Sequence, residues 1–548
     1  MGTPSLRNNQ ASSPPPTVSA PVSELNLNHI ELDYPEPGID DSLIDRFRQI
    51  VAAVGPKLCI QYTGASFSYQ EIDQLSDRIA NELARSLPAE ESPILVYIPN
   101  GWQFFVTILG ILKVGRIFVP IDTNLPYQRI ELIRNCAAAT QVIETNSAAP
   151  IIECWKQEES FEVLNFDSLI QGNSPGFSAD SVNGQTSAVL LFTSGSTGTP
   201  KGVLHNQSTI NHISWRRSHA CKLSVNDRYI MLYNAGYMGC INALFSALLS
   251  GASIHYYPLE RLGLEPLETW LAETKITIFH AVTSILRKFM TQLSTPAKLP
   301  HLRIVTPGGE ASRLGDIKTF KSSFPEPATY MANLGSTECG SLAYFPITHQ
   351  TNIETNEIPV GVPIESLNLK LLDSDGNETE AGETGEITID SPFIFSGYWK
   401  DEATSPSDRG VHAHHPFRTG DFGRLDEGGR LINLGRRDGM IKINGYRADT
   451  ASIENALCNV EKITEAAVVI RSQSPTDNPQ LYAFYCPESE SLNENDLRRS
   501  LSMVLPQPMV PSRFVALGQL PYTSNNKIDR KTLAKQPVEF LKTLYPIY

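Results

Sequence analysis

No Cys-x-x-Cys pair occurs in the 548 residues. The eight cysteines (Cys59, Cys136, Cys154, Cys221, Cys240, Cys339, Cys458, Cys486) are scattered, which argues against a structural zinc site and for reduced thiols in cytosol. No long apolar run is free of charge. The most apolar stretch, Trp102 to Ile121, holds Lys113 and Arg116, so it reads as a core helix followed by a strand and excludes a membrane span. Positive charge is in deficit: the formal balance of -14 argues against nucleic acid or an anionic membrane as the main partner, and contact with an acidic protein would need a local basic patch. The N-terminus lacks a basic region followed by an apolar one, so no secretory signal is evident and a cytoplasmic location is expected. Internal repeats and coiled-coil heptads are missing too.

What is present describes a large globular chain. With 41% hydrophobic and 19% charged residues, it has material for at least two domains. Residues 1–35, rich in Ser, Pro and Asn, are expected to be a disordered tail. From Leu43 helical and strand patterns alternate: helical Leu43 to Val54, strand Leu58 to Tyr62, helical Tyr69 to Ser86, strand Pro93 to Tyr97, helical Trp102 to Val114. A second series follows Thr186, with helical Ile241 to Leu249 and strands Ser253 to Tyr257, Ile276 to His280 and Arg303 to Val305. The fold class is α/β. From Ile358 to Leu434 short strands punctuated by Gly, Asp, Asn and Pro predict a small β-rich subdomain. The expected division is a large N-terminal domain, 36–434, of two α/β subdomains plus the β-rich one, followed by a small, mobile α+β domain, 435–540.

One segment stands out: Leu191-Phe-Thr-Ser-Gly-Ser-Thr-Gly-Thr-Pro-Lys-Gly202. Its glycines let the backbone turn sharply and approach an anion, its hydroxyls donate, and Lys201 adds a charge, which is what wrapping a polyphosphate requires. The buried-strand run Ala188 to Phe192 delivers this loop to the end of a sheet. The loop is not the common P-loop, because Gly-x-x-x-x-Gly-Lys-Ser/Thr does not occur and the lysine precedes the last glycine. Read alone, it could also be a flexible surface loop.

Further motifs follow in order: Phe67-Ser-Tyr-Gln-Glu71, Leu112 to Asp122, Gly335-Ser-Thr-Glu338, Gly397-Tyr-Trp399, Arg418-Thr-Gly-Asp421, Gly435-Arg-Arg-Asp438, Leu505-Pro506 and Asn526-Lys-Ile-Asp-Arg530. In this order and spacing the sequence resembles the acyl-adenylate-forming superfamily, and within it the adenylation domains of nonribosomal peptide synthetases, over roughly residues 40–535. The resemblance implies an adenylate-forming ligase that takes ATP and Mg²⁺. It implies that Thr193, Ser194, Gly195, Ser196, Thr197, Gly198 and Lys201 hold the β- and γ-phosphates, that Thr337 touches the α-phosphate, and that Glu338 holds the metal. Asp421 would accept from the ribose hydroxyls, with Arg436 nearby, and Lys527 would be the catalytic lysine bridging substrate carboxylate and α-phosphate. Gly308, Gly309, Glu310, Ala332, Leu334, Gly335 and Ser336 would complete the ATP site, Leu334 replacing the usual aromatic. The usual histidine after the glycine loop is Gln207, with His205 close by.

The same resemblance places Met238, Gly239, Asn242, Phe279, Val305, Pro307, Asn333, Ser341 and Leu342 around the acyl group. Met238 stands where domains that load α-amino acids place an aspartate. A thioether cannot neutralise a buried ammonium, so the expected substrate is a keto, hydroxy, aryl or short acyl acid without a free α-amino group. Asp438 would be the hinge of a domain swing that offers Lys442, Gly445 and Arg447 to an incoming thiol. That thiol would be the phosphopantetheine of a carrier protein, in trans or in a longer parent chain, since no carrier segment is present. The alternatives are an acid-CoA ligase and a catalytically silent nucleotide-binding scaffold. Outside the motif series, Glu338, Asp421 and Lys527 read equally as solvated surface charges. The triplet His412, His414, His415 has no acidic or cysteine partner at ligand spacing and reads as solvated histidines.

Overall fold

The computed structural model of the protein describes residues 32–86, 92–125, 127–145, 149–172, 176–194, 200–294, 298–355, 357–399, 416–436, 440–443, 446–471, 480–488, 492–505, 510–524 and 526–547. Helices Leu43–Val54, Tyr69–Ser86 and Trp102–Lys113 interleave with strands Leu58–Tyr62, Ile94–Tyr97 and Phe118–Pro120. Ser42 caps the first helix by accepting from the Asp45 amide. Helix Trp102–Lys113 is apolar around its circumference because nearly every side chain of it is buried. Lys113 enters this interior with two partners: Nζ lies 2.7 Å from Asp73 Oδ1 and 2.6 Å from Asp77 Oδ1, two carboxylates one turn apart on Tyr69–Ser86. No helix among the described residues is long and apolar enough to cross a membrane.

Residues 32–35, assigned to the tail from composition, are ordered into the body of the protein. The Tyr34 hydroxyl donates to Asn211 Oδ1 at 2.8 Å, and its ring takes the Arg46 guanidinium 4.4 Å above its centre. A single aromatic with one face and its hydroxyl engaged fixes the chain where the Ser/Pro texture predicts no order.

Spatial order departs from chain order. Strand Leu58–Tyr62 pairs in parallel with Ser253–Tyr256 of the second series, Ile60 opposite Ile254. Strand Ser187–Ser194 instead joins the first series, with Val189 opposite Phe118. The segment after Ile358 does form short antiparallel strands, but they extend an existing sheet. Pro359–Pro363 pairs with Gly340–Ile347 on one side and Leu431–Arg436 on the other, giving thirteen continuous strands among the described residues.

The C-terminal part is built on Ile463–Arg471 and Gln480–Pro487, antiparallel, with Arg513–Ala516 added in parallel. Its sheet is covered on both faces: Ile453, Leu457, Leu497 and Leu501 pack on one, Leu533 and Leu541 on the other. Double coverage explains the near-continuous apolar run Ala466 to Ile470. The unit runs past residue 540, through helix Val538–Leu544. It meets the larger part through Ser284 Oγ, which donates to the Asn526 carbonyl at 3.2 Å, and Arg313 Nη1, 3.2 Å from Cys458 Sγ.

Candidate active site

The parallel strands Ile278–Val282 and Ile304–Gly308 deliver their C-terminal ends to a cavity of about 890 Å³, the place where open α/β sheets bind ligands. The turn between Thr329–Ser336 and Gly340–Ile347 contributes Thr337 and Glu338 to its wall. Gly335 must lack a side chain, since a Cβ there would lie 2.6 Å from the Gly340 carbonyl oxygen. Two buried side chains fix this turn. Arg216 Nη1 donates to the Ser341 carbonyl and Nη2 to the Cys339 carbonyl, both at 2.9 Å. Burial lowers Arg216 to about 10, which leaves it charged at neutral pH. His205 Nε2 lies 2.8 Å from the Thr337 carbonyl, and burial holds that imidazole at about 4, so it is neutral and donates from Nε2. His205 thus positions Thr337, whereas Gln207 is a staple of the fold, donating to the Leu112 carbonyl at 3.1 Å.

Of the glycine loop, Thr193 lines the cavity, Ser194 ends its strand, and Gly195, Ser196, Thr197 and Gly198 lie outside the described residues. Lys201 is set back from the cavity. Its Nζ sits 3.2 Å from the centre of the Tyr398 ring, and the Tyr398 hydroxyl donates to Glu338 Oε1 at 3.2 Å. Gly308, Gly309, Glu310, Leu334, Gly335, Ser336 and Asp421 all reach the cavity. Arg436 stands opposite Asp421 in the strand register. From the C-terminal unit come Ser524, Asn526 and Lys527. A Cβ built on Gly309, whose φ is +85°, would lie 3.5 Å from Lys527 Cε.

The residues expected around the acyl group, and Ala332 of the expected ATP site, divide between the cavity and the core. Met238, Gly239, Asn242, Asn333 and Ser341 line the cavity, but Phe279, Val305, Pro307, Leu342 and Ala332 do not. Phe279 and Val305 are opposite each other on adjacent strands and turn into the second core, while the next pair, His280 and Thr306, takes the other face. Strand alternation makes a one-residue offset in alignment a change of face. Ala332 joins that same core, and Leu342 packs with Ile387 and Leu431 beneath the neighbouring sheet. Pro307 acts only through its carbonyl, which accepts from Asn333 Nδ2 at 2.8 Å. Lining residues that the sequence did not single out include Arg217, Tyr233 and His280. Arg217 was legible: it occupies the position that the Ile210, Ile213, Cys221 spacing reserves for a core side chain.

Asp438, Gly445 and the triplet His412, His414, His415 lie outside the described residues. Lys442 and Arg447 face each other in register across the hairpin Met440–Ile443 and Tyr446–Asp449. Among the described residues no group of three His, Cys, Asp or Glu converges as a metal cage. Glu338, a cavity carboxylate with one oxygen engaged by Tyr398, suits a Mg²⁺ held mainly by phosphate oxygens and water.

A model of the AMP-binding enzyme family matches residues 47–399, and one of the AMP-binding enzyme C-terminal domain matches residues 452–527. The chain belongs to the AMP-binding enzyme family. Among relatives of this AMP-binding enzyme, tyrocidine synthase 3 of Brevibacillus parabrevis is 28% identical over 91% of the chain, which covers 8% of that protein. Tyrocidine synthase 1 of the same organism is 27% identical over 90% of the chain and is covered for 45%. The chain therefore spans less than half the length of either. Among solved structures, ATP-bound MatB from Rhodopseudomonas palustris superposes with a TM-score of 0.79 at 18% identity, covering 92% of this chain and all of that one (100%). Klebsiella oxytoca NpsA in complex with 3-hydroxyanthranilyl-AMSN superposes with 0.75 at 22%, covering 90% and 98%. Both share the fold.

Proposed function

We propose that this enzyme activates a carboxylic acid with ATP as the acyl-adenylate and passes the acyl group to the phosphopantetheine thiol of a carrier protein. The observation that carries the reading is a shared cavity: Lys527 from the C-terminal unit lines it together with Gly309, Thr337, Glu338 and Asp421 from the large one. In the first step a carboxylate oxygen attacks the α-phosphorus, the bond to the bridging oxygen breaks, and pyrophosphate leaves with the electron pair. Two anions must be brought together, so fixed positive charge and donors facing the developing transition state lower the barrier. Lys527 supplies that charge between carboxylate and α-phosphate. Thr337 donates to the α-phosphate, and the loop from Thr193 to Lys201 holds the β- and γ-phosphates. Asp421 accepts from the ribose hydroxyls, with Arg436 beside it, and Leu334 packs on the base near Gly308, Gly309 and Glu310. Glu338 would hold Mg²⁺, which would supply neutralisation of phosphate charge.

In the second step the thiol sulfur attacks the acyl carbonyl, AMP departs, and the thiol proton passes to solvent. Between the steps the C-terminal unit turns about Asp438 and presents Lys442, Gly445 and Arg447. Met238 at the cavity wall offers nothing to an ammonium, so the acid lacks a free α-amino group. Acid-dependent exchange of pyrophosphate into ATP tests the first step, and exchange with common L-amino acids alone would overturn the substrate reading. Thioester formation on a carrier protein, against none on CoA, tests the second; the reverse result assigns an acid-CoA ligase.

A further inference from the structure

Arg217 is 3% exposed, lies on helix Gln207–Cys221, and lines the acyl side of the cavity. Its Nε donates to Asn242 Oδ1 at 3.1 Å and its Nη1 approaches the Tyr229 hydroxyl at 3.5 Å. Among the described residues it forms no ion pair, and its Nη2 has no hydrogen-bond acceptor. A guanidinium stays charged at any physiological pH, and burying one without a counter-ion is costly.

The carboxylates on the cavity wall do not supply that counter-ion. Asp122 accepts from the Asn124 amide and Asn234 Nδ2, both at 3.0 Å. Glu260 is taken by Asn124 Nδ2, Glu310 by Arg287, and Glu338 by Tyr398. Asp421 stands opposite Arg436 in the register of the adjoining strand.

The groups around Arg217 all turn donors the same way. A guanidinium accepts nothing, so the Tyr229 oxygen faces it and the Tyr229 proton goes to His280 Nδ1, 3.0 Å away. Burial keeps His280 neutral, so its single proton is on Nε2 and donates to the Tyr233 oxygen at 2.9 Å. The Tyr233 O–H is then left without an acceptor among the described residues, and Tyr233 lines the cavity. Asn242 follows the same rule. Its Oδ1 accepts from Arg217 and from Ser246 Oγ at 2.9 Å, which leaves its Nδ2 to donate.

We infer that the acid taken by this pocket carries a second carboxylate, received by Arg217, Asn242 Nδ2 and the Tyr233 hydroxyl: the substrate is a short dicarboxylic acid. The inference rests on the adenylation reading above and deepens it. Chain length is limited because the Tyr233 hydroxyl packs on Gly308, while the adjacent Gly309 meets Lys527. The subsite and the catalytic lysine thus flank one short turn. Planar, bidentate capture of a carboxylate is what a guanidinium does best.

The test is pyrophosphate exchange by the full chain with dicarboxylic acids from malonic to adipic, each paired with its ω-monoamide, which keeps size and an acceptor oxygen but removes the charge. The expected result is at least about a 100-fold higher kcat/KM for the best diacid than for its monoamide, with the ratio reversed in Arg217→Gln. Should that variant fail to fold, the paired rates of the unmodified enzyme decide. Exchange with monoamides or monocarboxylic acids that equals or exceeds exchange with every diacid overturns the inference and leaves the adenylation reading standing. Exchange with no carboxylic acid of any kind overturns both.

Discussion

Lys527 Cε and Gly309 belong to different units of the chain and meet, a Cβ on Gly309 falling 3.5 Å from that carbon. The contact brings the late lysine to the glycine turn that ends strand Ile304–Gly308. Lys527→Ala is expected to lower acid-dependent pyrophosphate exchange by about 100- to 1000-fold, the range for losing one preorganised electrostatic contact. Because Lys527 is exposed, the melting temperature should not move. A folded variant with undiminished exchange would remove Lys527 from the chemistry.

Gly308 is required by Tyr233. A Cβ at 308 would strike the Tyr233 hydroxyl, so Gly308→Ala must displace it and break its hydrogen bond to His280. The expected effect is about a tenfold loss of kcat/KM for the acid, with the KM for ATP little changed. Tyr233→Phe removes the obstructing atom, so the double variant should lose less than the two single losses combined. Steady-state kinetics of the three variants measure that coupling.

Lys113 is fully buried between Asp73 and Asp77. Lys113→Met keeps the volume and strands two carboxylates, so it should destabilise the protein by about 3–5 kcal/mol. Adding Asp73→Asn and Asp77→Asn should recover part of the loss. Urea denaturation followed by fluorescence would report both effects.

Burial holds His205 at about 4 and His255 at about 3, against 6.5 for a free histidine. The unfolded chain therefore binds protons that the folded one refuses, and stability falls as pH drops through 6.5, with the loss complete only below the folded values. At pH 5 each histidine should cost about 2 kcal/mol relative to pH 7. His205→Gln, which keeps a donor for the Thr337 carbonyl, should narrow the gap between melting temperatures at the two pH values. An unchanged gap would contradict neutral burial of His205.

Much of the architecture was legible because period and punctuation are local. The helices Leu43–Val54 and Tyr69–Ser86 fall where the spacing predicts them. The anchoring of Tyr34 was not legible, because it depends on Asn211 and Arg46, remote in the chain or across a turn. The continuity of the β-rich strands with the main sheet was hidden likewise, since Pro359–Pro363 finds its partners through long-range pairing. In the site, the Gly335 to Glu338 turn lines the cavity as contiguous sequence, whereas Phe279 and Val305 turn into the core, a choice of face that single-strand sequence does not settle.

By itself the amino-acid order determined the α/β class, the family, and the glycine, hydroxyl and charged residues offered to a nucleotide, because each is written in contiguous residues. Only tertiary structure decided which face of Ile278–Val282 meets the cavity, that Lys527 lies against Gly309, and that Arg217 is buried without a carboxylate partner among the described residues. Those outcomes depend on strand register, packing and desolvation, which arise between segments far apart in the chain.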